Sequence, residues 1–172
     1  LYTALHHARE PMGLMAVLYF MYYLLEQYQT DPEVTFLVDN RELYFVPVVD
    51  PDGYVYNQET NPNGGGLWRG NRNLSATEGG VDLNRNYGFE WAGHDIPSRG
   101  SAPFSEPETQ AMRDFCIGRE FKLALNYHDF SDSFLLHPWG YSSSTVHTPD
   151  STTYGELGAK MTELNGYPYG PV

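Results

Sequence analysis

The chain has 172 residues, of which 41% are hydrophobic and 15% aromatic, so it suits one globular domain rather than a disordered segment. Its net charge is -12, from 22 acidic and 10 basic residues. This charge argues against nucleic acid or an anionic membrane as a partner, since both would be repelled. The single cysteine, Cys116, excludes an internal disulfide and is interpreted as a small buried hydrophobic residue.

The first predicted elements alternate between strand and helix. Residues 1–5 form a short extended run, and residues 11–29 carry apolar side chains at helical spacing after a proline in the first turn. The apolar part of this helix is too short to span a membrane and contains several tyrosines, which indicates a buried helix. Residues 43–49 are rich in β-forming side chains and end in a turn signal at residues 50–53.

A long loop separates these elements from the next group. Residues 57–80 are rich in Asn, Gly and Thr, and loops of this length in compact domains are often functional. A helix is predicted at residues 105–118, where Ser-Glu-Pro-Glu has the pattern of a capping box. Strands are predicted at 121–127 and 134–137, followed by a helix at 153–165. Alternating strands and helices predict an α/β domain with a mixed, largely parallel sheet.

A possible metal-ligand pair lies in the sequence His7-Ala8-Arg9-Glu10, between the first strand and the first helix. Ligands three residues apart on a tight turn can point the same way, and an imidazole with a carboxylate suits zinc. A surface turn with an ion pair between Arg9 and Glu10 explains the same residues. His128 follows a predicted strand, where site residues often gather, although a lone histidine there is more often structural.

The arginines are unevenly distributed in this acidic chain. Arg69, Arg72 and Arg85 lie in one segment, and Asn84 stands next to Arg85. Arginine binds carboxylates through two parallel hydrogen bonds, and a neighbouring amide adds a directed donor. Solvent-exposed loop arginines are the ordinary alternative, but their concentration here favours an anionic ligand.

Six motifs occur in order along the chain, and their order together is far more specific than any one motif. They are His7-Ala8-Arg9-Glu10, Pro51-Asp52-Gly53, Trp68-Arg69-x-x-Arg72, Val81-Asp82-Leu83-Asn84-Arg85-Asn86, Ser105-Glu106-x-Glu108 and Tyr127-His128. The chain therefore resembles the zinc carboxypeptidase family over nearly its whole length. The resemblance implies an α/β fold with helices on both faces of the central sheet.

The resemblance also implies a metal site. It assigns one zinc ion per chain to His7, Glu10 and His128, a ligand set known for carboxypeptidase A that leaves the fourth position open for water. His6 is the nearest competitor to His7, but it stands at a different spacing from Glu10. The other histidines, His94, His137 and His147, have no such placement.

The same resemblance implies an activity and a substrate. The protein would hydrolyse the last peptide bond of peptides or proteins and would be secreted. Arg72 would polarise the scissile carbonyl and hold the oxyanion, while Asn84 and Arg85 would bind the terminal carboxylate of the peptide. Asp82 carries over only as a structural neighbour.

The chain departs from the digestive members of the family after His128. The Asp-Phe-Ser sequence of residues 129–131 stands where those members have a serine and then a tyrosine. The general-base glutamate, the mobile tyrosine and the residue that sets side-chain preference are expected beyond Val172. We therefore expect residues 1–172 to be a partial catalytic domain, missing its first strands and its C-terminal part, with little activity alone.

Two alternatives to a peptidase remain open from the sequence. A zinc deacylase of N-acyl amino acids can share the His-x-x-Glu pair, the distant histidine and an Asn-Arg pair, but the segments 51–53 and 68–72 favour the peptidase. A non-catalytic, carboxypeptidase-like binding module would be marked by a lost ligand or a lost arginine. All of these residues are present here.

Overall fold

The computed structural model describes residues 1–93, 96–129, 134–137 and 150–171. The chain forms two compact units, Leu1–Asp129 and Phe130–Val172. All six sequence motifs lie in the first unit. The predicted departures at Phe130 and Ser131, and the histidines His94 and His147, lie outside the described residues.

A parallel sheet in the first unit explains how distant histidines meet. Strand β1 (Tyr2–Thr3) pairs in parallel with β2 (Phe45–Val46) on one side and with β3 (Leu125–Asn126) on the other. The carboxyl ends of neighbouring parallel strands lie at one edge of the sheet, which is where α/β proteins place their sites. The segments carrying His7 and His128 leave the sheet at this shared edge.

Four α-helices lie in the described part of the first unit. They are α1 (Pro11–Gln27), α2 (Pro32–Asn40), α3 (Pro51–Thr60) and α4 (Pro107–Ile117). Each has a proline in its first turn, where the missing N–H costs nothing and the fixed φ angle suits the helix. Asp31 caps α2 by accepting hydrogen bonds from the backbone N–H groups of Glu33 and Val34.

The amino end of α1 is capped by a residue from the far end of the unit. The Asp129 carboxylate accepts hydrogen bonds from the backbone N–H groups of Met12, at 2.6 Å, and Gly13, at 3.2 Å. A Cβ atom at Gly13 would lie 3.0 Å from the Cβ of Tyr127, so the glycine permits this close approach. These contacts hold the start of α1 against the chain that follows β3.

Three expectations about turns, loops and caps in the first unit were wrong. The turn expected at residues 50–53 is the first turn of α3, because the Asp50 carboxylate accepts from the Gly53 N–H and starts a helix. The long loop therefore begins after Thr60 and not at residue 57. Helix α4 forms as predicted, but without the capping box: Glu106 occupies the N-cap position and makes no side-chain capping bond.

The strands are shorter than expected, and α2 was not anticipated at all. The buried apolar core of this unit centres on Val49, Leu83 and Met112. Tyr87 and Cys116 pack against it, but Cys116 is half-buried rather than fully buried as the sequence suggested. The α/β class with parallel strand pairing is confirmed.

The described residues of the second unit form two strands and a helix. Strands β4 (Leu135–His137) and β5 (Tyr169–Pro171) pair in parallel, and α5 (Ser151–Met161) packs closely against β5. A Cβ atom at Gly158 would lie 2.5 Å from the Tyr169 ring, so this contact requires glycine. Helix α5 ends before residue 165, the end expected from the sequence. Within the described residues, no helix combines the length and apolar character needed to cross a membrane.

Candidate metal centre

Three side chains converge at the shared strand edge. The Nδ1 atom of His7 lies 2.7 Å from one Glu10 carboxylate oxygen, and the Nδ1 atom of His128 lies 2.9 Å from the other. The two Nδ1 atoms are 3.1 Å apart. These three side chains each offer a ligand atom, and the atoms all lie within 4.8 Å of one another. His7 and Glu10 are buried, whereas His128 borders solvent.

A tight turn places the first two of these residues. The backbone N–H of Glu10 donates to the His7 carbonyl at 3.1 Å, which folds the four-residue motif back on itself. The N–H of Ala8 donates to the Arg69 carbonyl at 3.0 Å and anchors the turn to the long loop. The spacing of three therefore directs both side chains toward the same point.

The Asp82 carboxylate, itself bonded to Arg69, contacts the ring nitrogen of His7 that faces away from Glu10. The Nε2 atom of His7 lies 3.1 Å from the Asp82 carboxylate, whose other oxygen accepts two hydrogen bonds from Arg69 at 3.0 and 2.9 Å. Arg69 also approaches Glu10 at 3.7 Å. A carboxylate on the far ring nitrogen fixes the tautomer and the ring orientation, so the Nδ1 lone pair of His7 can face a cation.

The charges of the site suit a cation. Burial by itself would raise the pKa of Glu10, but hydrogen bonds with His128 and His7 lower it to about 2. Burial also opposes protonation of His7, yet its bonds to Asp82 and Glu10 outweigh that effect and raise its pKa. Burial would likewise raise the pKa of Asp82, but His7 and Arg69 hold it far below its ordinary value. Anionic carboxylates thus surround the two imidazoles.

Arg72 lies on an aromatic platform with part of its guanidinium unpaired. The guanidinium carbon is 3.6 Å from the ring centroid of Tyr56 and 4.2 Å from that of Trp68. Its Nη1 atom is buried and has no hydrogen-bond partner among the described residues. A buried donor without an acceptor is costly, so this N–H group is ready to bind an acceptor oxygen.

Asn84 and Arg85 are tied to the metal centre through Asp82. The Asn84 backbone N–H donates at 3.0 Å to the same Asp82 oxygen that contacts His7. A short 3₁₀ turn, Leu83–Arg85, follows and leaves both side chains half-buried. Arg85 donates to the carbonyl oxygen of Asn84 at 3.0 Å, a neutral acceptor. No described carboxylate forms an ion pair with Arg85, so its charge is available to an anion.

The family model of zinc carboxypeptidases matches residues 1–169, which is nearly the whole chain. The chain belongs to the zinc carboxypeptidase family. It is 31% identical to the metallocarboxypeptidase A of Trichophyton rubrum over 185 aligned positions, covering 96% of this chain and 42% of the relative. Human mast cell carboxypeptidase A is also 31% identical, over 183 positions, with the same coverage of 96% and 42%.

A solved structure of this family agrees with the fold. The crystal structure of carboxypeptidase A from Helicoverpa armigera superposes with a TM-score of 0.79 at 30% identity and covers 94% of this chain and 40% of that one. The chain thus spans less than half the length of the curated relatives and the solved structure described here.

The donor set fits the zinc that the family name implies. Two imidazole nitrogens and one carboxylate oxygen are the ligand types of His₂Glu catalytic zinc sites, for which carboxypeptidase A is a known example. Both histidines present Nδ1 toward Glu10, and the ionised Glu10 needs no deprotonation to bind a cation.

His6, the competing histidine of the sequence, lies outside the ligand cluster. Its Nε2 atom hydrogen-bonds the Tyr87 hydroxyl at 2.7 Å instead. Burial lowers the pKa of His6 to about 4, and the nearby imidazoles of His128 and His7 act in the same direction. His6 therefore packs as a neutral side chain beside the centre, and the geometry favours His7.

Sequence reasoning missed the residues that support the ligands. Asp82 was expected only as a structural neighbour, and Arg69 was grouped with the anion-binding arginines although it pairs with Asp82. Asp129 donates its backbone N–H to Glu10 at 3.2 Å while its side chain caps α1. Their contacts with His7 and Glu10 span large sequence separations, so no local spacing predicts them.

Proposed function

We propose that this chain contains the metal and substrate residues of a zinc-dependent metallocarboxypeptidase, which hydrolyses the C-terminal peptide bond of peptides or proteins. The carrying observation is the convergence of His7, Glu10 and His128 within 4.8 Å, in a chain that matches the zinc carboxypeptidase family. One zinc ion per chain would be held by these three side chains.

Zinc, when bound, would supply Lewis-acid chemistry and lower the pKa of a bound water. The chain's own residues then have defined tasks around it. His7 and His128 each offer an imidazole nitrogen, and Glu10 offers an anionic oxygen. Asp82 and Arg69 keep the His7 ring in its orientation, so that little reorganisation is needed on binding.

Arg72 is proposed to stabilise the negative charge that develops on the scissile carbonyl oxygen. Its buried, unpaired Nη1 is a donor already in place, and its stacking on Tyr56 and Trp68 holds the guanidinium plane. Donors fixed before the reaction stabilise a transition state without reorganising during it.

Asn84 and Arg85 are proposed to bind the terminal carboxylate of the substrate. The guanidinium of Arg85 is not neutralised by a described carboxylate, and the Asn84 amide stands beside it. An internal peptide bond presents no carboxylate to these donors, which explains selection for the last residue. The proposed partner is therefore a peptide with a free C-terminal carboxylate. The net charge of -12 argues against nucleic acid or an anionic membrane as a partner.

We also propose that residues 1–172 by themselves have little peptidase activity. A general base must reach the attacking water, directly or through one water. Four described carboxylates near the site are engaged elsewhere: Glu10 on the histidines, Asp82 on Arg69, Asp129 on the α1 N-terminus, and Glu106 on Asn71. Asp50 is fully buried, away from the solvent that would supply the attacking water. A peptidase assay that finds ordinary carboxypeptidase rates for this chain would contradict the proposal.

The proposed location is outside the cell, on the strength of the family resemblance. Separate measurement of the protein in the culture medium and in the cells of its source tests this proposal.

Metal analysis tests the proposed function most directly. The purified protein, dialysed against zinc and then against buffer, should retain one zinc per chain. Added zinc should also raise its melting temperature, because a ligand that binds only the folded state stabilises it. Absence of both effects would remove the basis for a metallopeptidase and favour the non-catalytic alternative.

A further inference from the structure

The far side of His128 has its own support, separate from the Asp82 contact on His7. The Nε2 atom of His128 lies 2.9 Å from the Asn126 carboxamide, two residues earlier in the chain. The carboxamide continues to Thr3, whose hydroxyl donates to the Asn126 oxygen at 3.0 Å. Thr3 is buried and pairs with Asn126 in the register of β1 and β3.

The chemistry of a metal-binding imidazole restricts this contact. His128 presents Nδ1 to the ligand cluster, so its Nε2 must carry the proton when a metal is bound. An Nε2–H group needs an acceptor, but the Asn126 amide nitrogen, a donor, faces it here. When Nε2 of His128 carries the proton, it requires the oxygen of the Asn126 carboxamide. When Nε2 has a free lone pair, it requires the amide nitrogen.

Thr3 allows both orientations of that carboxamide. Its hydroxyl can donate or accept, whereas each end of the carboxamide can do only one of these. With the amide rotated by half a turn, the Asn126 nitrogen would donate to Thr3 and its oxygen would accept from His128. Thr3 would then donate to the Leu125 carbonyl, which lies 3.5 Å away.

We propose that Asn126 is a positioning residue for the zinc ligand His128, and that its carboxamide turns its oxygen toward Nε2 when the metal binds. Asn126 is the counterpart of Asp82: one orients His128 and the other orients His7. It acts through His128 and contacts neither metal nor substrate. The inference rests on the proposed zinc site.

Zinc affinity, measured by competition with a chromogenic chelator, tests the proposal with two matched substitutions. Asn126→Leu keeps the approximate size of the side chain and removes the acceptor. We expect about 10-fold weaker zinc binding, the lower end of the loss when a residue that hydrogen-bonds a metal ligand is removed. Asn126→Asp restores an acceptor and should bind zinc at least as tightly as the wild type. Asn40→Leu, at an exposed asparagine far along the chain in α2, controls for the substitution itself.

Structural damage and loss of positioning give different results. The urea midpoint of the metal-free Asn126→Leu protein should fall only slightly, because the side chain is exposed and Thr3 keeps the Leu125 carbonyl as an acceptor. Equal zinc affinities for Asn126→Leu and the wild type would overturn the inference while leaving the zinc site intact. Failure of Asn126→Asp to restore affinity would also overturn it. If the wild type binds no zinc, the proposed function falls together with the inference.

Discussion

The metal centre and the arginine segment differ in how their polar groups are paired. At the metal centre, His7, Glu10 and Asp82 are buried and bonded to one another and to Arg69. On Arg72 and Arg85, in contrast, donors face no described carboxylate. The candidate metal centre therefore already has its anionic groups in place in the folded protein. Under the proposed function, the donors of Arg72 and Arg85 are open to the substrate.

Among the substitutions considered, removal of a proposed zinc ligand should weaken zinc binding most strongly. We expect His128→Ala to lose stoichiometric zinc, with an affinity reduced by more than about 100-fold. Loss of a residue that only hydrogen-bonds a ligand already costs about 10- to 100-fold. His6→Ala should keep one zinc per chain, because His6 bonds Tyr87 and not the ligand cluster. Zinc retained by His128→Ala but lost by His6→Ala would contradict this assignment and make His6 the ligand.

The charge of Arg85, which no described carboxylate neutralises, predicts a loss of activity that depends on the C-terminus of the substrate. In a form of the protein that includes the general base and is active, Arg85→Ala should cost about 2–5 kcal/mol in kcat/KM on free-acid peptides, the typical loss when one partner of a buried charge pair is truncated. Peptides with a C-terminal amide should lose far less. Arg113→Ala is the control, because Arg113 is partly exposed and pairs with Asp114. Equal losses on both substrates would assign Arg85 a structural role.

Two buried carboxylates extend the contrast between paired and unpaired groups. Asp82 has a histidine and an arginine, and its pKa is lowered; Asp50 is fully buried and its Oδ2 has no partner among the described residues. Burial raises the pKa of Asp50 to about 7, against the hydrogen bond from Gly53, and the charges of Glu108 and Asp52 add to the rise.

This shift predicts a pH-dependent effect of Asp50→Asn on stability. A raised folded pKa means that the folded state binds the proton more tightly, so stability is present below the unfolded pKa of about 4 and is lost as the pH rises toward 7. Asparagine keeps the acceptor for Gly53 and cannot ionise. The variant should therefore gain on the order of 3 kcal/mol relative to the wild type between pH 4 and pH 8.

Urea unfolding of the wild type and of Asp50→Asn at several pH values measures this gain. A difference between the two proteins that stays constant from pH 4 to pH 8 would show that Asp50 titrates normally in the folded state.

The smallest expected effect concerns the support of His7. Asp82→Asn keeps the size of the side chain but weakens the bonds to His7 and Arg69, so we expect zinc affinity to fall about 10- to 100-fold. Chelator competition measures the change, and Asp39→Asn, on an exposed face of α2, serves as the control. An unchanged affinity would mean that the His7 ring is held by packing alone.

The sequence by itself determined the features that depend on short spacing. The prolines at helix starts, the alternation of strands and helices, and the His7–Glu10 pair on a tight turn are all local. Each can be inferred from neighbours because a few residues fix the backbone there. The order of six motifs then indicated the family, and the family model confirms it.

Only the tertiary structure decided which distant groups meet. His7 and His128 are 121 positions apart, and His7 and Asp82 are 75 apart, yet each pair is within hydrogen-bonding distance. The parallel pairing of β1 with β3 brings the two histidines to one sheet edge. The long loop places Asp82 next to the Nε2 atom of His7. Strand register and loop path arise from packing of the whole unit, so no local pattern could encode these contacts.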